Sequence, residues 1–414
     1  MPDDLREVTK CEICGDHELS SVLQLGEHPM CDDLVPTDDL RECKLYPIEI
    51  LFCKTCYTAH QRYQIPKHDL FPQQYHYRSR NTADVLEGMA QLVTSVESEF
   101  GSLSTKKVAD IGCNDGSLLD IFRSRGANTF GIEPTGAADE ARENGHTVVH
   151  DYFSKSSAEK FVEMYGHPDI ITFTNVFAHI EDMNDIIDAL NVMRHEETMI
   201  VIENHYLGSV LSKKQFDTFY HEHPRTYSFR SFIYIANAIG VQVRSVTFPR
   251  RYGGNIRVML GGSGSAQYKS VLSLHELAEL EQNFYSQLLS LSKDITEWRE
   301  RKLAELMQAV KQHGPLRAKA FPGRAAIPLK LLGLTHSEIS AVYEKPQSIK
   351  VGHYVPGTRI PIISDKLLLE NLENGVPIVN FAWHISDEIR SYMTEQGYDG
   401  EIIDIISASD FSDI

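Results

Sequence analysis

The sequence has no run of eighteen apolar residues, so nothing in it reads as a membrane-spanning helix. It is also short of positive charge, with 40 Lys and Arg against 58 Asp and Glu and a formal net charge of −18. A nucleic-acid groove concentrates Lys and Arg on one face, so that balance argues against a polyanion partner, while leaving room for a local pocket that takes one or two phosphates. There is no HExxH metal motif, no short-period repeat and no low-complexity tract. The opening MPDDLREVTK has neither the basic start nor the apolar stretch of a signal or transit peptide, and the expectation is a cytoplasmic protein. Seven cysteines in such a compartment are not a disulfide framework.

What is present is a chain of 414 residues, 42% hydrophobic and 24% charged, which suits a globular protein of two to four domains. Four of the cysteines form two C-x-x-C pairs, Cys11/Cys14 in CEIC and Cys53/Cys56 in CKTC. Two such knuckles in one small segment can place four thiolates tetrahedrally around zinc. A redox C-x-x-C would instead open a helix after a strand, and neither pair sits that way. With sulfur in all four positions no site is left for water or substrate, so the metal is expected to be structural. His28, Cys31 and Cys43 are the spare ligand candidates. This module is placed at residues 1–70.

From about residue 81 the pattern alternates between helix and strand. NTADVLEGMAQLVTSVESEF has helical spacing, KKVADIGCNDG is an apolar strand running into a glycine turn, SLLDIFRSRG is a helix, and NTFGIEP is a strand ending in an acid. HPDIITFTNV and EETMIVIENH repeat the strand theme. This order predicts a mostly parallel, doubly wound sheet over residues 71–265. Beyond GGSGS, residues 269–312 read as one continuous helix with the stripe Leu277, Leu280, Phe284, Leu288, Leu291, Ile295 and Trp298, a packing face assigned to a linking segment at 266–314. LRAKAFPG, EISAVYEK and GVPIVNFAW then read as strands of a smaller α/β domain over 315–414.

Three places carry chemistry. In VADIGCNDGSLL, Gly112 and Gly116 sit at a strand-to-helix turn with Asn114 and Asp115 between them, and Glu133 ends the next strand, placed to accept hydrogen bonds from a ribose diol. A nicotinamide dinucleotide would be repelled by Asp115 at its pyrophosphate. S-adenosylmethionine has no phosphate and carries cationic groups that favour a carboxylate, so it is the better fit, with NAD and a plain structural turn as the alternatives. FTNVFAHIED puts Asn175 and His179 just after a strand, where ligands of an open α/β sheet lie, although a histidine there could equally be a buried core residue. Finally, YHEHPRTYSF crowds Tyr220, Glu222 and His223 into four positions, either an acid–base site or a solvated polar loop.

Taken in order, CxxC…CxxC, YHYRS at 75–79, IGCNDG, GIEPT, NVFAHI, IENHYL, YHEH, YGGNIRV, KPQSIKVGHYVPGTRIPI and FAWHISDEI resemble the sugar-nucleotide 3-C-methyltransferases, over almost the whole chain. The resemblance implies an α/β fold: a Rossmann-like methyltransferase domain with an N-terminal zinc-binding module and a second, C-terminal Rossmann-like domain, a nucleotide sugar lying in the cleft between. It implies S-adenosylmethionine-dependent C-methylation at C-3 of a nucleotide-linked 4-keto-deoxyhexose. His223 then reads as general base, with Tyr220, Glu222, His179 and Tyr75 around it. Two stretches depart from the family pattern. AFPGRAA at 320–326 replaces a GYGA-type turn, and Tyr252-Gly253-Gly254-Asn255 stands where His-Gly-Gly precedes Ser-x-Arg. An O- or N-methyltransferase of the same architecture, or an inactive nucleotide-sugar-binding partner, are the other readings. No nucleic-acid or membrane partner is expected.

Overall fold

The computed structural model describes residues 5–71, 78–81, 83–262, 269–270 and 272–411. The N-terminal module is built on three antiparallel strands, β1 (Leu19–Pro29), β2 (Leu45–Cys53) and β3 (Ala59–Gln61). The CKTC knuckle forms the tight turn between β2 and β3, with Tyr57 at φ 58° closing it. A fourth strand, Arg225–Thr226, arrives from far along the chain and pairs antiparallel with β3, Arg225 opposite His60 and Thr226 opposite Ala59. The zinc module is thus completed by the segment that follows YHEH.

The helix read at 81–100 is observed as α1 (Ala83–Phe100), and its i, i+3/i+4 apolar positions Val85, Met89, Leu92, Val93 and Val96 are buried. The central sheet follows, with β4 (Lys107–Ile111), β5 (Asn128–Ile132), β6 (Thr147–Val149), β7 (Ile170–Thr174) and β8 (Met199–His205). It continues with β9 (Val243–Thr247), β10 (Asn255–Gly261) and β11 (Lys269–Ser270), in the spatial order β11-β9-β10-β8-β7-β4-β5-β6. Strands β4 to β8 are parallel, as the helix–strand alternation implies. β10 runs antiparallel to both β8 and β9. Order reverses between β4 and β7, so the crevice at their carboxyl ends is where an open sheet takes its ligand.

The single helix expected over 269–312 is instead a strand and two helices. Lys269 and Ser270 pair with β9, and the helical run is split into Leu274–Glu281 and Phe284–His313. Ser273 caps the first of these with a reciprocal bond to Glu276, which starts the helix five residues later than the periodicity suggests. Six members of the apolar stripe are buried, whereas Leu280, next to the break, is 43% exposed. Trp298 anchors the longer helix by donating its indole N–H to the Ile405 carbonyl at 3.1 Å.

The C-terminal domain is a five-stranded, all-parallel sheet of β12 (Leu316–Lys319), β13 (Ile339–Glu344), β14 (Ile362–Ser364), β15 (Ile378–Asn380) and β16 (Ile402–Asp404), ordered β14-β13-β12-β15-β16. A strap from this domain reaches back to the first module, His353 and Tyr354 pairing with Pro36 and Val35, and Arg359 donates to the Asp39, Leu40 and Arg41 carbonyls. The three units therefore pack on one another around the YHEH segment. No helix among the described residues is long and apolar enough to cross a membrane.

Candidate active site and metal centre

The two knuckles converge. The sulfurs of Cys11, Cys14, Cys53 and Cys56 all lie within 4.8 Å of one another, with Cys11–Cys56 at 3.4 Å and Cys14–Cys53 at 3.5 Å. A zinc–sulfur tetrahedron with bonds of about 2.3 Å has sulfurs about 3.8 Å apart, so this donor set fits the metal. His60, fully buried, places Nε2 3.4 Å from the Cys11 sulfur, and its Nδ1 is 3.6 Å from Glu12. The spare candidates lie elsewhere: His28 bonds the Leu25 carbonyl, Cys31 packs against Gly323, and Cys43 accepts from the Gly357 N–H.

The turn after β4 is shaped by its neighbours. Gly112 has φ 68°, and a Cβ there would stand 2.5 Å from Val176 Cγ2; Gly116 has φ 83°, and a Cβ would stand 2.7 Å from His146. Asn114 accepts the Ser79 N–H at 3.1 Å. The Asp115 carboxylate is fully buried, accepting from Ser117 N and Oγ at 3.1 and 2.5 Å and from Arg80 N and Nε at 3.0 and 3.1 Å. It therefore closes the turn and starts the following helix. Glu133 stands across the turn at the end of β5, accepting from Asn114 N at 3.0 Å and from Thr135 N and Oγ1 at 2.8 and 2.6 Å.

Asn175 follows β7 at φ 55° and accepts from Asn255 Nδ2 at 3.1 Å. Asn255 also donates to Glu203, which is fully buried and held by Arg257 Nε at 2.7 Å. The YGGNIR stretch thus supports Asn175 from behind. Thr174 Oγ1 and both amide atoms of Asn204, at the carboxyl ends of β7 and β8, are buried with no partner among the described residues. Polar atoms left so at the ligand edge of an open sheet suit a cofactor that brings its own donors and acceptors. The residues present fit S-adenosylmethionine, and Glu133 is one that could accept from its ribose.

The YHEH residues come together with His179. His223 Nδ1 lies 3.1 Å from the Thr218 carbonyl, which can only accept, so Nδ1 carries the proton and Nε2 holds the lone pair. That lone pair faces the Tyr220 hydroxyl at 2.9 Å. His179 donates from Nδ1 to the Glu222 carbonyl at 2.5 Å, and its ring centroid is 4.9 Å from that of His223. Burial first, then the neighbouring imidazoles of His179 and His205, push the His223 pKa well below the usual histidine range and keep it neutral. Burial and then Asp32 push Glu222 well up, with Lys350 opposing. Tyr75 lies outside the described residues.

Three residues near this cluster were not singled out from sequence. His205, the last residue of β8, packs its ring 5.2 Å from His223. Asp217 and Arg324 form a buried pair beside the loop. His205 lies in the IENHYL stretch and Arg324 in the AFPGRAA departure, so both stood inside marked segments, but nothing local pointed them at YHEH.

A sheet with parallel strands β4 to β8, a glycine turn after its first strand and an acid just after its second suits an S-adenosylmethionine-dependent methyltransferase, here joined to a four-thiolate module. Family models match a zinc binding domain over residues 11–71, a methyltransferase domain over 77–246 and a C-methyltransferase C-terminal domain over 250–404. Together these matches run from residue 11 to residue 404 and mark the chain as an S-adenosylmethionine-dependent C-methyltransferase whose four clustered thiolates fit zinc. It is 26% identical to C-methyltransferase NovU of Streptomyces niveus, over 94% of this chain and 93% of that one. A ubiquinone biosynthesis O-methyltransferase of Pseudomonas aeruginosa is 35% identical over 22% of this chain and 40% of its own. Magnesium protoporphyrin IX methyltransferase from Synechocystis is a similar solved structure, with 15% identity, TM-score 0.35, and coverage of 44% of this chain and 84% of that one.

The cofactor reading has a direct test. Calorimetry should show S-adenosylhomocysteine binding that weakens roughly ten- to a hundredfold in Glu133→Ala, as loss of a charged acceptor worth about 1.5–3 kcal/mol implies. Unchanged affinity in a variant that still melts cooperatively would remove Glu133 from the site.

Proposed function

We propose that this C-methyltransferase acts at C-3 of a nucleotide-linked 4-keto-deoxyhexose through an enolate. The observation that carries the reading is the neutral, buried His223, its proton fixed on Nδ1 and its lone pair aimed at the Tyr220 hydroxyl. Carbon methylation needs such a group. A C–H bond beside a ketone is weakly acidic, so a positioned base must take the proton while donors stabilise the enolate oxygen. His223 removes the C-3 proton, either after the Tyr220 hydroxyl turns aside or through it, the phenol oxygen taking the proton as its own passes to Nε2. Tyr75 is the proposed donor toward the keto oxygen; His179, whose Nδ1 proton is held by the Glu222 carbonyl, completes the pocket with Nε2 as an acceptor; and Glu222, buried and pushed toward its protonated form, is a donor or acceptor for a sugar hydroxyl. When bound, S-adenosylmethionine supplies the methyl group as an electrophile; Glu133, Asn114 and Asn175 hold it. Holding the two carbons in near-attack geometry supplies much of the remaining rate.

The ketosugar and its nucleotide rest on the motif resemblance and on the kinship with a C-methyltransferase. Purified enzyme with labelled S-adenosylmethionine should be offered 4-keto-deoxyhexoses on several nucleoside diphosphates, and the product's carbon connectivity read by NMR. A new C–C bond at C-3 is the expected outcome. Label attached only through oxygen or nitrogen, or no acceptance of any ketosugar, would sink the proposal.

A further inference from the structure

We propose that Arg324, contributed by the C-terminal domain, is a positioning residue for His223, fixing the tautomer and orientation of its imidazole through Thr218. The catalytic use of that imidazole rests on the function proposed above; the positioning itself does not. Arg324 lies in the turn after β12 and is 8% exposed. Its guanidinium spans the stretch just ahead of YHEH: Nε donates to Asp217 Oδ2 at 2.8 Å, and Nη2 donates to Asp217 Oδ1 at 2.7 Å, to Thr218 Oγ1 at 2.8 Å and to Gln215 Oε1 at 3.3 Å. Asp217, fully buried, also accepts the Trp383 indole N–H at 2.8 Å, so one carboxylate gathers the ends of two C-terminal-domain strands. Gln215 in turn donates to the Gly253 carbonyl at 2.8 Å.

The residue so clamped is the one that holds the base. Thr218 is gripped on its hydroxyl by Arg324 and accepts the His223 Nδ1–H on its carbonyl. A planar fork that meets both carboxylate oxygens and a hydroxyl sets the orientation of residues 217 and 218 in a way that an ammonium group cannot. With the Thr218 carbonyl held, the Nδ1–H tautomer is the only one that keeps the bond, and Nε2 is left for Tyr220. His223 is faced by His179 from the turn after β7, His205 from β8, Tyr220 from its own loop and Arg324 from the C-terminal domain. Of these, Arg324 carries the fixed positive charge, which further disfavours protonated His223. The Phe-Pro-Gly-Arg turn thereby reaches the His223 imidazole through Thr218.

Histidine-selective ¹⁵N NMR of the full-length protein, with the His223 signal assigned by its loss in His223→Ala, reads the tautomer directly. Wild type should show Nδ1–H, and Arg324→Ala a mixture of both tautomers. Exchange of the substrate C-3 hydrogen should fall about ten- to a hundredfold in Arg324→Ala with S-adenosylmethionine affinity unchanged. The acid limb of its pH profile should move to higher pH, because losing the positive charge raises the His223 pKa. Arg324→Lys keeps the charge and loses the fork, so it should slow exchange without moving the limb; it also carries the test if the alanine variant fails to fold. Combining Arg324→Ala with His223→Ala should be no slower than His223→Ala alone. Folded Arg324 variants with an unchanged tautomer, or a fully additive double variant, would overturn the proposal. Near-wild-type turnover by His223→Ala alone would remove the base instead, while a tautomer that responds to Arg324 would still uphold the positioning.

Discussion

Replacing His223 by Ala or Asn should abolish exchange of the C-3 hydrogen with deuterated water when enzyme and 4-keto substrate are mixed without methyl donor, and should slow methylation about 10²–10⁴-fold. Binding of S-adenosylhomocysteine should survive, because a group that acts in the transition state alters rate more than ground-state affinity. The geometry adds a sharper arm. The His223 lone pair is covered by the Tyr220 hydroxyl at 2.9 Å, which leaves two routes for the proton. If the proton passes through the phenol oxygen, Tyr220→Phe should cost as much as His223→Ala, and the double variant no more than either. If the hydroxyl only parks on Nε2 until substrate arrives, Tyr220→Phe should lose less than tenfold. Tyr75→Phe should give the loss of about 10²–10³ typical of an oxyanion donor, and His179→Asn, which loosens the loop held through the Glu222 carbonyl, an intermediate one. Methylation near the wild-type rate in His223→Ala would end the base assignment and return YHEH to the polar-loop reading.

The parts legible in the sequence are those whose signal is local. The C-x-x-C pairs meet because thirty-eight intervening residues close back on themselves as a hairpin, and spacing alone carries that. The distance of Glu133 from the glycine turn places it at a strand end, and the structure puts it just after β5 with its carboxylate on Asn114 N. What spacing could not show is where a side chain is used. Asp115 is bonded from two sides within the turn, a fact that depends on Arg80, thirty-five residues earlier in the chain. The break at Gln282–Asn283 in the helix expected over 269–312 leaves no mark in the sequence pattern, because the apolar periodicity continues on both sides of it. Arg324 and Asp217, 107 positions apart, meet only when two domains dock. Nothing in either neighbourhood marks the other, and the same holds for His205, which reaches His223 only through the carboxyl edge of the sheet.

Removing zinc should disable the chemistry as well as the fold. From sequence, a closed four-thiolate site is expected to matter for folding yield and little for the folded enzyme, since no coordination position is open. The structure changes that expectation. Strand β3 begins three residues after Cys56 and pairs with Arg225–Thr226, which starts two residues after His223. The Cys56 carbonyl accepts the hydroxyls of Ser228 at 3.1 Å and Ser231 at 3.2 Å, and Gln61 binds the Pro224 carbonyl at 2.8 Å and the Phe219 carbonyl at 3.1 Å. Glu12, between the first two thiolates, is paired with the buried Arg225. Residues 219–231 are therefore anchored on the knuckles from both ends, and a module that cannot hold its four sulfurs together loses the template for the YHEH loop. Purified protein should contain about one zinc per chain. After chelation, or in Cys53→Ser, the melting temperature should fall, and hydrogen exchange over 219–228 should accelerate before that of β4 and β7. C-3 exchange should be lost in step with that local opening, while S-adenosylhomocysteine still binds the central sheet. Glu12→Gln, which keeps all four thiolates but leaves Arg225 buried without its countercharge, should cost about 3–5 kcal/mol of stability and reproduce the local opening in part. Metal-free protein that keeps full turnover and full protection over 219–228 would show that the module is dispensable to the site.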